Sequence, residues 1–408
     1  MGRGEGPAGD VEVDVATPPR ESYPRLFLRF LRFGLLAWGG PVAQIAMVRD
    51  ELVEKDQWIS RERFNRVLSV YQVLPGPEAH ELCVYFGHLA RGRIGGVLAG
   101  LGFMLPGFAL MLALSWAYVR SGIAAIAPAG LFYGFQAAVL ALIIRAVYRI
   151  GRHALTDLWL WAVAILAVAS DLGGVHFAVT LIAAGSVYAS VRRGRISWAA
   201  GIFAAAVLAA LFVPGLRGMQ QAPLVLPGWG PETVSAVRLF GSGVLAGLLT
   251  FGGAYTVIPF LRRDAVVSGA WMTDAQFVDG LALSGILPAP LVIFGTFVGY
   301  LGGGFLGALA VTAGIFLPAF SFTLVGHGAI ERVVEAPSLH AFLEGVTAGV
   351  VGLIVATTVR LAPTSVPDVP AGLVAAVALL ILTVWRSKMA IAAAVLSAGA
   401  LGMLVVRL

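Results

Sequence analysis

Long apolar stretches separated by short polar connections dominate the chain. Most of the stretches have about 20 residues or more, which is long enough to cross the roughly 30 Å hydrocarbon core of a bilayer as a helix. The stretches lack the two-residue alternation that a transmembrane β-barrel requires. The pattern therefore predicts an all-α polytopic membrane protein with about 13 transmembrane helices. The apolar runs are 26–47, 67–89, 94–119, 131–150, 155–170, 174–191, 196–213, 235–260, 277–301, 305–326, 339–361, 371–385 and 389–406.

Two of these runs contain a proline pair that breaks a helix. Residues 73–77 read Val-Leu-Pro-Gly-Pro, and residues 286–290 read Ile-Leu-Pro-Ala-Pro. A Pro-X-Pro sequence removes backbone hydrogen bonds from a helix interior. Freed backbone groups at membrane depth are tolerated where they are buried in protein or line a water-filled cavity. Both breaks are therefore predicted to belong to a binding site.

The two breaks belong to an internal repeat. Four residue pairs lie 213 positions apart, namely Gly39 and Gly252, Trp58 and Trp271, Phe64 and Phe277, and Pro75 and Pro288. The offset shortens to 212 at Pro106 and Pro318, and to 211 at Arg149 and Arg360. A fixed period of this kind indicates duplication. The predicted divisions are a disordered cytoplasmic tail (1–22), an N-terminal half (23–213), a loop (214–234) and a C-terminal half (235–408).

Seven runs precede the second copy, and this odd number predicts that the two homologous halves are inverted relative to each other. With the N-terminus in the cytoplasm and the C-terminus outside, 18 of the 28 Lys and Arg residues fall on the inner side and 10 on the outer side. This positive-inside bias indicates a multi-pass membrane protein, and it argues against nucleic acid as a partner. We expect the protein in the cell inner membrane. Five of the outer cations, in residues 49–66, are interpreted as part of an interfacial helix.

Several motifs resemble those of the chromate transporter (CHR) family in its long, two-domain form. They are Trp38-Gly39-Gly40-Pro41, the Leu-Pro-Gly-Pro-Glu-Ala sequence of residues 74–79, Phe-Gly-Gly-Ala-Tyr at 251–255, and Leu-Pro-Ala-Pro at 287–290. The resemblance implies secondary active transport of chromate, as export that confers chromate resistance. Sulfate, which is also a tetrahedral dianion, or another anion or small metabolite is the alternative substrate. Trp38 and Ala289 depart from the Phe and Gly that are usual in the family.

The breaks within the two halves suggest where an oxyanion would bind. Each break would expose the N-terminus of a half-helix, whose free amides and dipole favour negative charge. The alternative interpretation is that these residues are only kinks or close-packing glycines. The expected substrate-binding residues are Gly39, Gly40, Pro41, Gln44, Arg49, Pro75, Gly76, Pro77, Gly252, Gly253, Tyr255, Thr256, Arg262, Pro288, Ala289 and Pro290.

Glu78 and Glu81 are the expected proton-coupling residues, because they follow the first proline break on one helix face. The alternative for both Glu78 and Glu81 is that they merely complement the dipole of their own helix. The second half carries Leu291 and Phe294 at the equivalent positions, so the site is predicted to be asymmetric. The expected partners are a chromate-like or sulfate-like oxyanion, protons, the lipid bilayer and a second copy of the chain in a homodimer.

No enzyme, metal site or cofactor is expected from these motifs. His80-Glu81 begins like a zinc-binding His-Glu-x-x-His sequence, but Val84 occupies its last position. An intramembrane enzyme built on Glu78, His80 and Glu81 would lack a nucleophile at a useful spacing. The chain also has no Gly-x-x-x-x-Gly-Lys loop for ATP, so an ion gradient, most simply of protons, is predicted to drive transport.

Overall fold

A computed structural model describes residues 19–120, 128, 130–199, 201–202, 204–205, 234–251, 253–325, 337–385 and 387–406. Every regular element among these residues is a helix, as the apolar pattern predicts. Residues 1–18 of the predicted tail, residues 214–233 of the predicted loop, and Gly252 lie outside the described residues.

The helices follow one another with short connections. In chain order they are α1 (Tyr23–Leu35), α2 (Gly40–Arg49), α3 (Arg61–Val73), α4 (Glu78–Arg120), α5 (Leu131–Ala154), α6 (Leu158–Leu172), α7 (Phe177–Arg192), α8 (Ala236–Leu248), α9 (Val257–Arg262), α10 (Asp274–Gly285), α11 (Phe294–Val325), α12 (Pro337–Ser365), α13 (Val369–Val384) and α14 (Ala390–Val405). A π-helical turn follows α2 at Asp50–Lys55 and another follows α9 at Arg263–Ser268. Short 3₁₀ turns, Ala254–Thr256 and Leu291–Ile293, precede α9 and α11.

The chain reverses direction at the first proline break. The ring centroids of Phe64 in α3 and Phe86 in α4 lie 6.4 Å apart, and those of Trp58 and Phe86 lie 6.1 Å apart. In one straight helix, Phe64 and Phe86 would be separated by about 33 Å. Helix α3 and the start of α4 therefore pack antiparallel, and residues 74–77 form the tip of a helical hairpin, which we call the first proline tip.

The second half has a matching hairpin. Phe277 in α10 and Phe294 at the start of α11 are 4.8 Å apart between ring centroids, and the Trp271 Nε1–H donates to the Val298 carbonyl at 3.2 Å. Residues 286–290 are therefore the second proline tip.

The glycine breaks are hairpin tips as well. Arg29 in α1 pairs with Asp56, beyond α2, at 2.5 Å, and Ser242 in α8 donates to Asp264, beyond α9, at 2.7 Å. These contacts fold α2 back along α1 and α9 back along α8. Residues 36–39 form the first glycine tip, and the described residues 249–251 and 253 form the second.

Four of the predicted apolar runs are thus hairpins rather than single straight helices. The arms are short: α1 and α3 have 13 residues each, about 20 Å of helix. An apolar run of a given length satisfies either arrangement, which is why hydropathy does not distinguish them.

Helices α4 and α11 each contain a further sharp reversal. The backbone is non-helical at Arg91 and Gly92, where Gly92 has a φ of 65°. A Cβ on Gly87 would lie 2.4 Å from the Gly95 carbonyl oxygen, so the two arms of α4 touch backbone to backbone. The same turn recurs in α11 at Gly303 and Gly304. The long arms are residues 93–120 and 305–325.

Helices that are long and apolar enough to cross a membrane number four among the described residues. They are Glu78–Arg120, Leu131–Ala154, Leu291–Val325 and Leu339–Ser365, and five shorter apolar helices accompany them. The chain is a helical membrane protein.

The order of elements repeats through the whole described chain. The bounds of α1 and α8, and those of the two π-helical turns, each differ by 213 positions. The repeat continues into α6 and α13, whose first residues differ by 211 positions, and into α7 and α14, whose bounds differ by 213.

The two halves interlock. Helix α5 packs against α13 and α14, whereas α12 packs against α6 and α7. The long arms of α4 and α11 run antiparallel, because a Cβ on Gly96 would lie 2.5 Å from Leu324 and one on Gly100 would lie 2.5 Å from Phe320.

Candidate functional site

Each hairpin tip meets a tip of the other half. The Gly76 N–H of the first proline tip donates to the Thr250 carbonyl of the second glycine tip at 2.8 Å. The first glycine tip and the second proline tip border a common cleft. The described residues that line it are Trp38, Gly39, Gly40, Pro41, Tyr255, Ser284, Gly285, Leu287, Ala289, Leu291, Lys388, Ile391 and Ala392.

The cleft combines the N-terminus of α2 with a cation. Helix α2 begins in it, directly after Gly39, whose φ of 90° is left-handed. Amides in the first turn of a helix have no acceptor within that helix, and the helix dipole adds positive potential there. Lys388, which is solvent-exposed, contributes a full positive charge at the same place. The cleft is therefore suited to an anion with several oxygens.

Gly39 is required by close packing as well as by its backbone angle. A Cβ at this position would lie 2.8 Å from the Lys388 Cα. The connection between α13 and α14 thus fits against the first glycine tip, and this contact brings Lys388 into the cleft. Of the predicted residues, the structure gathers Gly39, Gly40, Pro41, Tyr255 and Ala289 here.

The two proline tips have different backbones. Gly76 has a φ of 152°, and a Cβ on it would lie 2.7 Å from Glu81 Oε1. At Ala289, the equivalent position, φ is not positive, and the N–H closes a tight turn onto the Leu287 carbonyl at 2.9 Å. The replacement of glycine by Ala289 therefore accompanies a local change of conformation.

The predicted carboxylates lie beside the first proline tip. Glu81 is 0% exposed, and neither of its side-chain oxygens has a hydrogen-bond partner among the described residues. Glu78 interacts electrostatically with Glu81, Arg149 and His153. This part of the site holds two acidic groups close together, with Arg149 of α5 nearby.

Three cations near the tips were not among the predicted site residues, because each belongs to the inner-side charges of the positive-inside pattern. Arg145 and Arg149 in α5 interact electrostatically with Tyr255, and Lys388 lines the cleft. The recurrence of Arg149 as Arg360 was a usable signal, because a charge repeated within apolar helices favours function. Lys388 had no comparable signal.

Other predicted residues support the tips. The buried Gln44 donates from Nε2 to the Ala37 carbonyl at 2.8 Å, and Thr256 donates to the Gly253 carbonyl at 2.7 Å. Pro75 and Pro77 lie in the first proline tip, and Pro288 and Pro290 lie in the second.

Two predicted arginines lie away from the cleft. Arg49, at the far end of α2, pairs with Glu54 at 3.1 Å. Arg262 makes a bidentate contact with Asp274 at 2.8 and 2.9 Å. Both arginine side chains therefore form ion pairs at the ends of the hairpins.

An all-helical membrane chain whose polar breaks meet around an anion-suited cleft is typical of a transport protein. Residues 24–228 and 237–403 match the family model described as "Chromate transporter". The chain belongs to the chromate transporter family, and this is a family of transporters rather than of enzymes.

Three relatives span almost the whole chain. It is 55% identical to the chromate transport protein of Pseudomonas aeruginosa, over 96% of this chain and 94% of that protein. It is 33% identical to the chromate transport protein of Cupriavidus metallidurans, over 90% of each chain. A probable chromate transport protein of Synechococcus elongatus is 30% identical, over 89% of this chain and 90% of that protein. No solved structure matches the chain.

Proposed function

We propose that the protein is a secondary active transporter that exports chromate across the cell inner membrane and so confers chromate resistance. The observation that carries this proposal is the cleft between the first glycine tip and the second proline tip, where the start of α2 meets Lys388. The 55% identity to a chromate transport protein supports chromate as the substrate.

The two halves are inverted, and the hairpins of each half enter the membrane from one side. Two features support this arrangement: the antiparallel long arms of α4 and α11 and the odd number of runs before the second half. With a cytoplasmic N-terminus, the hairpins of the first half bring Arg49, Lys55, Arg61, Arg63 and Arg66 to the inner side. Only Arg262 and Arg263 move to the outer side. The excess of Lys and Arg on the inner side is therefore larger than it would be if each of these apolar runs crossed the membrane once.

In this mechanism the oxyanion is held by amides at the start of α2 together with the Lys388 ammonium. Glu78 and Glu81 carry the coupled protons. A protonated carboxyl beside the first proline tip admits the dianion, whereas an ionised carboxylate repels it, and this opposition links proton movement to anion release. The asymmetry of the two halves confines this role to the first half.

Sulfate is the second candidate substrate, since the same amides and ammonium would bind any tetrahedral dianion. The test is uptake of radiolabelled chromate into inside-out vesicles under an imposed proton gradient, with unlabelled sulfate as competitor. We expect chromate to accumulate when the gradient is present. Absence of accumulation would refute chromate export, and uptake of sulfate alone would favour the second candidate. Native mass spectrometry of the purified protein tests the expected homodimer.

A further inference from the structure

A second polar cavity lies between α6, α9 and α12, and no described residue lines both it and the tip cleft. Its described lining residues are Asp171, Phe177, Pro259, Phe260, Arg262, Arg263, Val267, Leu353, Thr357 and Arg360. Three guanidinium groups therefore face one cavity within an otherwise apolar protein.

The three arginines differ in how closely they pair with the acidic groups around this cavity. Arg262 is held bidentately by Asp274, and Arg263, which stacks over the Phe177 ring at 4.6 Å, comes no closer than 4.0 Å to Asp264. Arg360 pairs with the Asp171 carboxylate at 3.1 Å and also donates to the Asp171 carbonyl. Asp171 interacts electrostatically with all three arginines.

Asp171 lines the cavity together with the three guanidinium groups. It is the acidic residue among the described lining residues, and it lies at the C-terminal end of α6. A guanidinium group carries five N–H donors in a planar fork that suits carboxylate and tetrahedral oxyanions alike. Arg360 contacts Asp171 through Nη2 alone, and its buried Nε has no partner in the described part of the chain.

The equivalent place in the other half lacks this carboxylate. Arg149 is the repeat equivalent of Arg360, but Leu382 stands where α13 aligns with Asp171. The repeat explains Arg360 but not its partner Asp171. This difference indicates that Asp171 has a role particular to this side of the molecule.

We propose that this cavity is a second oxyanion site on the transport route, in which a tetrahedral dianion replaces the Asp171 carboxylate on Arg360. The inference rests on the proposed transport function and deepens it. Replacement of Asp171 also releases the end of α6 from α12, so anion binding here loosens the contact between those two helices.

The test is phenylglyoxal labelling of Arg360 in the purified full-length protein, read by mass spectrometry, with sulfate as the probe and chloride at equal ionic strength as reference. We expect sulfate to slow the labelling of Arg360 and to leave the exposed Arg193 unaffected. In Asp171→Asn, which removes the competing carboxylate, half-protection is expected at a sulfate concentration about tenfold lower. Asp157→Asn, with the same charge change at the other end of α6, should match the wild type.

Equal protection by chloride and sulfate would overturn the proposal, as would the same shift in Asp157→Asn and Asp171→Asn. Chromate transport by the same preparations separates the two claims. Transport without protection of Arg360 would refute the second site and leave the transport function standing. Protection by sulfate without chromate transport would support the site and refute chromate as the substrate.

Discussion

At the scale of single residues, the site depends on two glycines whose surroundings leave no room for a side chain, and on the cations Lys388 and Arg149. Gly39 and Gly76 both have positive φ, and both lie within 3 Å of other atoms once a Cβ is added. The motifs that contain them were visible in the sequence, because glycine and proline within an apolar run are recognisable breaks. Lys388 and Arg149 were not identified, because a functional cation and a positive-inside anchor look alike in sequence.

Gly39→Ala should abolish transport and lower stability. The left-handed backbone costs about 1 kcal/mol for a residue with a Cβ, and the clash with the Lys388 Cα requires the α13–α14 connection to move. Chromate uptake and thermal unfolding in detergent measure both effects. Gly174→Ala is the matched control, since Gly174 has a φ of 86° but no atom within 4 Å of its added Cβ. An equally large loss in that control would refute the packing argument.

Glu78→Gln should abolish the pH dependence of transport while anion binding persists. The amide cannot take up or release a proton, but it keeps the size of the side chain beside the first proline tip. Chromate uptake across a pH series, together with an anion-binding assay, tests this expectation. The exposed Glu62, in the first turn of α3, provides the control Glu62→Gln. Unchanged pH behaviour in Glu78→Gln would exclude the proton-carrier role.

At the scale of elements, the four hairpins are the main feature that the sequence did not reveal. The run at residues 67–89 is as long as a single crossing, but it contains two short arms and the proline tip between them. The helix breaks and the 213-residue repeat were predictable, because residue type and spacing determine both. The direction of the chain after each break depends on tertiary contacts such as that of Phe64 with Phe86, which no local pattern encodes.

Cysteine labelling tests the hairpins directly. In a Cys83→Ala background, a cysteine at Glu62 should react with a membrane-impermeant thiol reagent from the same side as a cysteine at Arg193. The proposed hairpin of α1 and α2 returns the chain to the side on which it started, whereas a single crossing would place residue 62 on the opposite side. Labelling of these two positions from opposite sides would contradict the hairpin.

At the scale of the whole molecule, contacts between the halves hold the tips in place. Asp279 in α10 is 4% exposed, and it accepts hydrogen bonds from Tyr118 at 2.7 Å and Gln136 at 2.8 Å, both in the other half. The two halves are recognisable in the sequence, but their interlocking is not, because the contacts join residues more than 140 positions apart.

Asp279→Ala should therefore destabilise the folded protein by about 2–4 kcal/mol, because it leaves the buried Tyr118 hydroxyl and the half-buried Gln136 amide without their acceptor. Thermal unfolding in detergent measures the change, and Tyr118→Phe, which removes a single hydrogen bond, should cost about 1 kcal/mol. Equal melting temperatures for Asp279→Ala and the wild type would show that this network does not hold the halves together.

The central claim is that tips from opposite halves form an oxyanion site completed by Lys388, and chromate uptake by a Lys388 variant tests it most directly. Loss of a charge-assisted contact worth about 1.5–3 kcal/mol predicts that Lys388→Gln raises the KM for chromate by roughly tenfold or more. Lys388→Arg should restore most of the affinity, and Arg193→Gln should behave as wild type. An unchanged KM in Lys388→Gln would contradict the account.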